Sequence, residues 1–265
     1  MVNKLLGKKK KLILLSVMLF LAFSISETPD ILAFSDFPTI LGAHRGSSVE
    51  YIENTMPAFE SAINDPKYQF VEIDVQYTKD KKIVVHHDNS LLRIQNKNNQ
   101  IADLTYEELL DVSNYKIPLY EEVMDLICLK KKVNIEIKSQ GNFSDDKELV
   151  DEVIEDLKKR KVLDQVLLSS ISSDVVRYIT ENYPKLEKGK IYWINKMTYL
   201  PFEFVVNGFY EDMDKLGADY IMLHGSNLNN YQLLTKLKPS DKTLVFWYFD
   251  DQMFIVQKDV NDKLW

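Results

Sequence analysis

Short apolar runs and helix-periodic stretches take turns along the sequence from Thr39 onward, and this alternation leaves few folds open. Runs rich in branched and aromatic residues lie at Thr39–Ala43, Gln69–Tyr77, Lys82–His86, Val133–Lys138, Gln165–Ser170, Gly189–Ile194, Asp219–Leu223 and Thr243–Tyr248. The clearest helix between them is "DDKELVDEVIEDLKKRKVL", where apolar residues recur every three or four positions. Asp145 and Asp146 at its start and lysines at its end complement the helix dipole. "SSDVVRYITENYP" repeats the scheme, with Ser172 or Ser173 as cap and Pro184 beyond the end. Strands spaced by helices predict βαβ units and a parallel sheet. Only "TKDK" separates the second and third runs, so these form a hairpin and count as one strand unit. The class is α/β, as a doubly wound sheet or a (β/α)8 barrel.

A chain of 265 residues with 45% hydrophobic content can bury one sizeable core. A net charge of −7 and scattered basic residues exclude a nucleic-acid binder. The single cysteine, Cys128, excludes an intramolecular disulfide framework and a cysteine-ligated zinc site. It sits in the amphipathic "EEVMDLICLKKK" and reads as a structural thiol. The N-terminus joins a basic "MVNKLLGKKKK" to the uncharged run "LILLSVMLFLAFSI", which is short for a bilayer span. Residues 1–26 therefore read as a signal peptide or membrane anchor, with Ser24 and Ser26 marking a cleavage site, and 27–37 as a tether. The remainder, 38–265, is expected to be secreted or anchored at the outer face of the cell membrane, touching the membrane only through this segment.

The residues able to do chemistry cluster at apolar strand ends. In "FVEIDVQYT", Glu72 and Asp74 are two apart and project from one strand face, opposite Val71, Ile73 and Val75. Two carboxylates in an apolar strand repel each other and lose hydration unless a cation binds them; Mg²⁺ or Ca²⁺ suits such oxygens. In "VNIEIKS", Glu136 and Lys138 share a face and can serve a cation and an anion together. "GAHRG" and "IVVHHDN" deliver His44 and one of His86 and His87 to strand exits. Two imidazoles can divide base and acid roles, and Arg45 adds a fork for phosphate oxygens. A barrel gathers such strand ends at one mouth.

These motifs resemble the glycerophosphodiester phosphodiesterase family. The resemblance runs through "HRGSSVEYIENTMPAFESAI", "FVEIDVQYTKDKKIVVHHDNSLLR", "IADLTYEELLDV", "IPLYEEVMDLI" and "NIEIKS", in family order. It implies a (β/α)8 barrel of the phospholipase-C-like kind, with a small insertion after the second strand unit, here about 89–116. It places the acid/base pair on His44 and His87 and the metal carboxylates on Glu72, Asp74 and Glu136. Arg45, Lys138 and Glu53 fall on the substrate side, and Trp247 in "LVFWYFDD" on the aromatic of the groove. Ile52 replaces a usual proline and Lys81 a usual glycine, while His224 has no family role.

The implied reaction is hydrolysis of glycerophosphodiesters to glycerol 3-phosphate and an alcohol with one divalent cation, Ca²⁺ or Mg²⁺. Attack by the glycerol 2-hydroxyl is the implied first step. Substrates outside the membrane would be deacylated phospholipids, lysophospholipids or glycerophosphate polymers. Alternatives are a lysophospholipase D or phospholipase-C-like lyase on the same barrel, and a non-catalytic surface binding protein. The last follows from the strand count. Seven units precede "DQMFIVQKDVNDKLW", which reads as a helix, so the barrel is expected to lack its eighth strand, with two unpaired edges and a C-terminally incomplete domain.

Overall fold

The computed structural model of the protein describes residues 39–192, 202–248 and 252–256; the expected signal segment and tether lie outside them. The strands are β1 (Thr39–Ala43), β2 (Phe70–Tyr77), β3 (Ile83–Val85), β4 (Lys132–Ile137), β5 (Val166–Ser170), β6 (Lys188–Ile191), β7 (Tyr220–His224), β8 (Thr243–Trp247) and β9 (Gln252–Val256). The helices are α1 (Met56–Asn64), α2 (Leu92–Gln95), α3 (Tyr106–Val112), α4 (Tyr120–Ile127), α5 (Phe143–Arg160), α6 (Ser173–Asn182), α7 (Glu203–Leu216) and α8 (Tyr231–Leu237). Among the described residues, no helix is long and apolar enough to cross a membrane.

Parallel pairing runs β1–β2–β4–β5–β6–β7–β8, which is the expected set of seven strand units. The seam between β8 and β1 differs from expectation. Among the described residues no eighth parallel strand fills it; β9 does, antiparallel to both neighbours. Phe254 lies opposite Leu41 on one side and Phe246 on the other. The stretch read as a helix is therefore partly a strand, and the two expected open edges are paired. A short strand inserted between two edges gains backbone bonds on both sides, which outweighs the weak helical pattern of its sequence.

This seam makes a direct prediction. Proline at 254 removes a ladder N–H from a strand paired on both sides, and the partner left unpaired costs about 1–3 kcal/mol. Phe254→Pro should lower the melting temperature by roughly 5 °C or more in thermal unfolding. An unchanged melt would show that the barrel does not depend on this strand.

Side chains alternate along the strands. Val71, Ile73 and Val75 of β2 and Val133, Ile135 and Ile137 of β4 join the layer under the helices, with Leu149, Val153 and Ile154 of α5. The opposite faces fill the barrel with Phe70, Leu167, Ile191, Tyr220, Met222, Val245 and Trp247. Gly42 is needed there, since a Cβ would lie 2.2 Å from the Phe70 ring. After β3 the chain forms its own small core of Val84, Leu91, Ile101, Leu109 and Ile117 around α2 and α3, in the segment expected as an insertion.

Local signals explain several element ends. Asn142 caps α5 by accepting from the Asp145 amide at 2.9 Å, one turn earlier than the acidic pair suggests. Ser172 caps α6 through the Val175 amide. Lys81 adopts a positive φ of 60°, the conformation that favours glycine, and its ammonium reaches Asp145 and Glu148. Cys128 is half-buried just past the end of α4, where burial pushes its thiol pKa up.

Candidate active site

The turn after β1 explains the shape of the "HRG" stretch. Arg45 and Gly46 both take left-handed conformations, with φ of 61° and 78°. Any side chain at Gly46 would meet the Ala58 backbone at 2.8 Å, so α1 can pack against the turn only if residue 46 is glycine. The reversal presents the Arg45 amide to Glu72, whose Oε2 accepts it at 2.9 Å. It also leaves His44 buried at the strand exit, its Nε2 3.9 Å from Glu72 Oε2. The Trp247 ring of β8 stands 6.0 Å from the His44 ring, at the same end of the barrel.

Glu72, Asp74 and Glu136 converge at that end. Each offers an oxygen, and these atoms lie within 4.8 Å of one another. All three are buried, and Asp74 Oδ1 accepts no hydrogen bond although Lys138 Nζ stands 3.4 Å away. Burial, reinforced by the Asp74 and Glu136 charges, pushes the Glu72 carboxyl well above the usual carboxylate range. Burial also raises Glu136, against the pull of Lys138 at 2.8 Å. Asp74 goes the other way: burial would raise it, but Lys138, His87, Arg45 and a bond from Asn54 hold it well below. Lys138 bonds Glu136 and Arg45 stands beside Asp74, so two fixed cations face three buried carboxylates. Hard, crowded oxygen donors with unmet negative charge fit a divalent cation of the Mg²⁺ or Ca²⁺ type.

The other candidate residues lie around this cluster. Arg45 reaches Asp74 at 3.4 Å and Glu53 at 3.1 Å. The Lys138 ammonium stands 3.4 Å from Asp74 and 2.8 Å from Glu136. His86 is buried outside this group, its Nε2 3.4 Å from the Ser90 carbonyl, and burial lowers its pKa. His87 is half-buried and contacts Asp88 at 2.7 Å. A cleft of about 240 Å³ lined by Asn89, Glu136, Lys138, Ser139, Ser170 and Ile171 adjoins the carboxylates.

Four residues near these groups were not expected. Asn54, at a φ of 56°, donates from Nδ2 to Asp74 Oδ2 at 2.8 Å. Gln76 donates to the His86 and Asp88 carbonyls at 2.6 and 2.9 Å and so holds the histidine loop against β2. Arg93 grips Glu53 and Asp88 together. Asn54, Asp88 and Arg93 stand inside the quoted "ENT" and "HHDNSLLR" motifs, and Gln76 lies two residues beyond Asp74 on the same strand face. His224 ends β7, 5.0 Å from the Trp247 ring, with Nδ1 accepting from the Ser226 amide.

Lys190 lies at the same end of the barrel on β6, its Nζ bonded to the Ile171 and Ile191 carbonyls. Burial pushes its pKa down from 10.5 to about 8. Below pH 8 the ammonium is charged in both folded and unfolded chains, and the full cost of burying it is present. Between about 8 and 10.5 the folded chain releases a proton that the unfolded chain keeps, so this group's contribution to stability rises with pH. Lys190→Met should melt about 2–4 °C above the wild type at pH 7, an order-of-1-kcal/mol gain. The difference should shrink as pH climbs through that window; a constant difference would refute the titration.

Comparisons with known proteins establish the family. The family model for the glycerophosphoryl diester phosphodiesterase family matches residues 44–263. A glycerophosphodiester phosphodiesterase of Bacillus altitudinis is 33% identical over 159 residues, covering 56% of this chain and 64% of that protein. One from Caldanaerobacter subterraneus is 34% identical over 165 residues, 58% of this chain and 67% of that protein. An uncharacterised protein of Bacillus subtilis is 32% identical over 160 residues, 57% of this chain and 65% of its own length. The chain thus spans just under two thirds of the length of the two Bacillus relatives. Among solved structures, the Thermotoga maritima glycerophosphodiester phosphodiesterase superposes with a TM-score of 0.63 at 28% identity, covering 80% of this chain and 87% of that one. An Oleispira antarctica phosphodiesterase shares the fold at a TM-score of 0.66 and 22% identity, covering 81% and 86%.

Proposed function

Since the chain belongs to the glycerophosphoryl diester phosphodiesterase family, we propose that it hydrolyses glycerophosphodiesters to glycerol 3-phosphate and an alcohol, with one divalent cation, outside the cell membrane. The observation that carries this reading is the buried meeting of Glu72, Asp74 and Glu136 beside Lys138, at the barrel end that also holds His44. A Ca²⁺ or Mg²⁺ ion bound there would neutralise phosphoryl charge and acidify an attacking hydroxyl. Arg45 and Lys138 supply positive charge for the phosphate oxygens, Arg45 as a planar fork whose direction Glu53 and Asp74 fix. One of His44 and His87 takes the proton of the attacking hydroxyl. The other protonates the departing alcohol oxygen as the phosphorus–oxygen bond breaks; with the glycerol 2-hydroxyl as nucleophile this leaves a cyclic phosphate, which water opens to glycerol 3-phosphate with the two histidine roles exchanged. Trp247, flanking His44, covers the apolar side of the bound glycerol.

Turnover of glycerophosphocholine and glycerophosphoglycerol by the full chain, with Ca²⁺, with Mg²⁺ and with chelator, tests the reading. Release of glycerol 3-phosphate that chelator abolishes supports it, and no release under any condition overturns it. Lysophospholipid hydrolysis of the D type is the second reading. A human lysophospholipase D is 38% identical over 86 residues, 32% of this chain and 24% of that protein. Including a lysophospholipid in the screen separates the two by product, since only the second releases a lysophosphatidic acid. The location rests on the basic-then-apolar residues 1–26, and N-terminal sequencing of the exported protein checks it.

A further inference from the structure

A line of alternating charges crosses the site: Asp74, Arg45, Glu53, Arg93, Asp88, and then His87. Its hinge is Arg93, on the single-turn helix α2. The guanidinium donates to Glu53 through two nitrogens, at 2.9 and 2.5 Å, and through Nε to Asp88 Oδ2 at 2.6 Å. The other Asp88 oxygen, Oδ1, contacts His87 Nδ1 at 2.7 Å. Burial alone would raise Asp88, but its bonds to His87 and Arg93 hold it well below the usual range. An ionised carboxylate only accepts hydrogen bonds, so Nδ1 must carry the proton in this contact. In the neutral ring Nε2, the nitrogen on the side away from Asp88, is then the one able to accept a proton.

We propose that Arg93 is a positioning residue that, through Asp88, fixes His87 in the Nδ1-protonated tautomer and at the same time clamps Glu53 behind Arg45. The Arg93 side chain is 45% exposed, and a single exposed ion pair is worth little. A planar fork held by two carboxylates differs: moving either acid breaks bonds to the other. Lysine cannot reproduce this grip, because one ammonium offers no fixed plane to satisfy Glu53 and Asp88 together. Arg93 ends "HDNSLLR" on the first turn of α2, and the non-helical stretch 88–91 folds back so that its guanidinium meets the aspartate that follows the histidine.

The tautomer part stands without reference to catalysis, whereas the kinetic part rests on the proposed phosphodiesterase activity. Nitrogen NMR of the full, cation-free chain labelled at histidine reads the tautomer directly, with His87→Gln used to assign the signal. The wild type should show a protonated Nδ1 and a bare Nε2. Arg93→Met should move His87 toward a tautomer mixture with little change in melting temperature, and Arg93→Lys should fall between. On glycerophosphocholine, Arg93→Met should lower kcat by about 10–100-fold, the size typical when a group supporting a functional histidine is lost. A bare Nδ1 in the wild type overturns the proposal, as does a tautomer unmoved by Arg93→Met. A folded wild type with the expected tautomer but no turnover would overturn the activity and leave the positioning role standing.

Discussion

Glu72→Gln should end the response to divalent cations and lower turnover together, while leaving the cation-free protein at least as stable as the wild type. Glu72 is buried, and its pKa is driven up first by burial and then by the charges of Asp74 and Glu136. Glutamine keeps the shape and an oxygen to accept the Arg45 amide, and it removes one of three crowded negative charges. The cation-free melting temperature should therefore hold or rise, as expected when a functional site is relieved of repulsion. The same change takes a charged oxygen from the cation site. Stabilisation by Ca²⁺ or Mg²⁺, which grows with the logarithm of cation concentration over Kd in the wild type, should vanish. Cation assistance at a phosphoryl group is worth several kcal/mol, so turnover should fall by about 10²–10³-fold. Calorimetric titration and thermal melts read the two effects separately. Equal cation binding in both proteins would remove Glu72 from the ligand set. Lost binding with unchanged turnover would remove the cation from the reaction.

What could be read before the structure was whatever a strand's two-residue period controls. Glu72 and Asp74 share a face because they are two apart, and Glu136 joins them because β4 pairs beside β2 with Asp74 opposite Glu136. Strand positions were legible for the same reason, though β3 ends at Val85 and not His86, whose amide turns to the Asp74 carbonyl. The supporting residues were less legible. Asn54 looks like a loop asparagine; only its left-handed backbone and the fold of α1 bring its amide to Asp74. Arg93 depends on a helix of four residues, too short to show a period. β9 was misread because its partners are the first strand and the last parallel one. Pairing between Gln252–Val256 and Thr39–Ala43 spans almost the whole sequence, and no local pattern encodes it.

His87→Ala should cost far more activity than His86→Ala, although the two histidines are neighbours in sequence. Their surroundings assign the difference. His86 is 3% exposed, its amide bonded to the Asp74 carbonyl and its Nε2 near the Ser90 carbonyl. Burial lowers its pKa, so the ring is neutral near pH 7 and works as packing. Replacing it removes buried volume and a loop contact, which should lower the melting temperature by several degrees while kcat moves little in the protein that stays folded. His87 has the opposite character. It is half-buried, and Asp88 holds its Nδ1. A lost acid–base group typically costs 10²–10⁴-fold, so His87→Ala should lower kcat by at least ~10²-fold with little change in melting temperature. Gln76 bears on both, since its amide donates to the carbonyls of His86 and Asp88 and so fixes the peptide on either side of His87. A leaving group that needs no protonation, such as p-nitrophenolate, should recover part of the loss in His87→Ala if His87 is the acid and none of it if His87 is the base. If His86→Ala loses more turnover than His87→Ala at equal folded fraction, the strand exit delivers the other imidazole to the phosphate and the assignment of His87 fails.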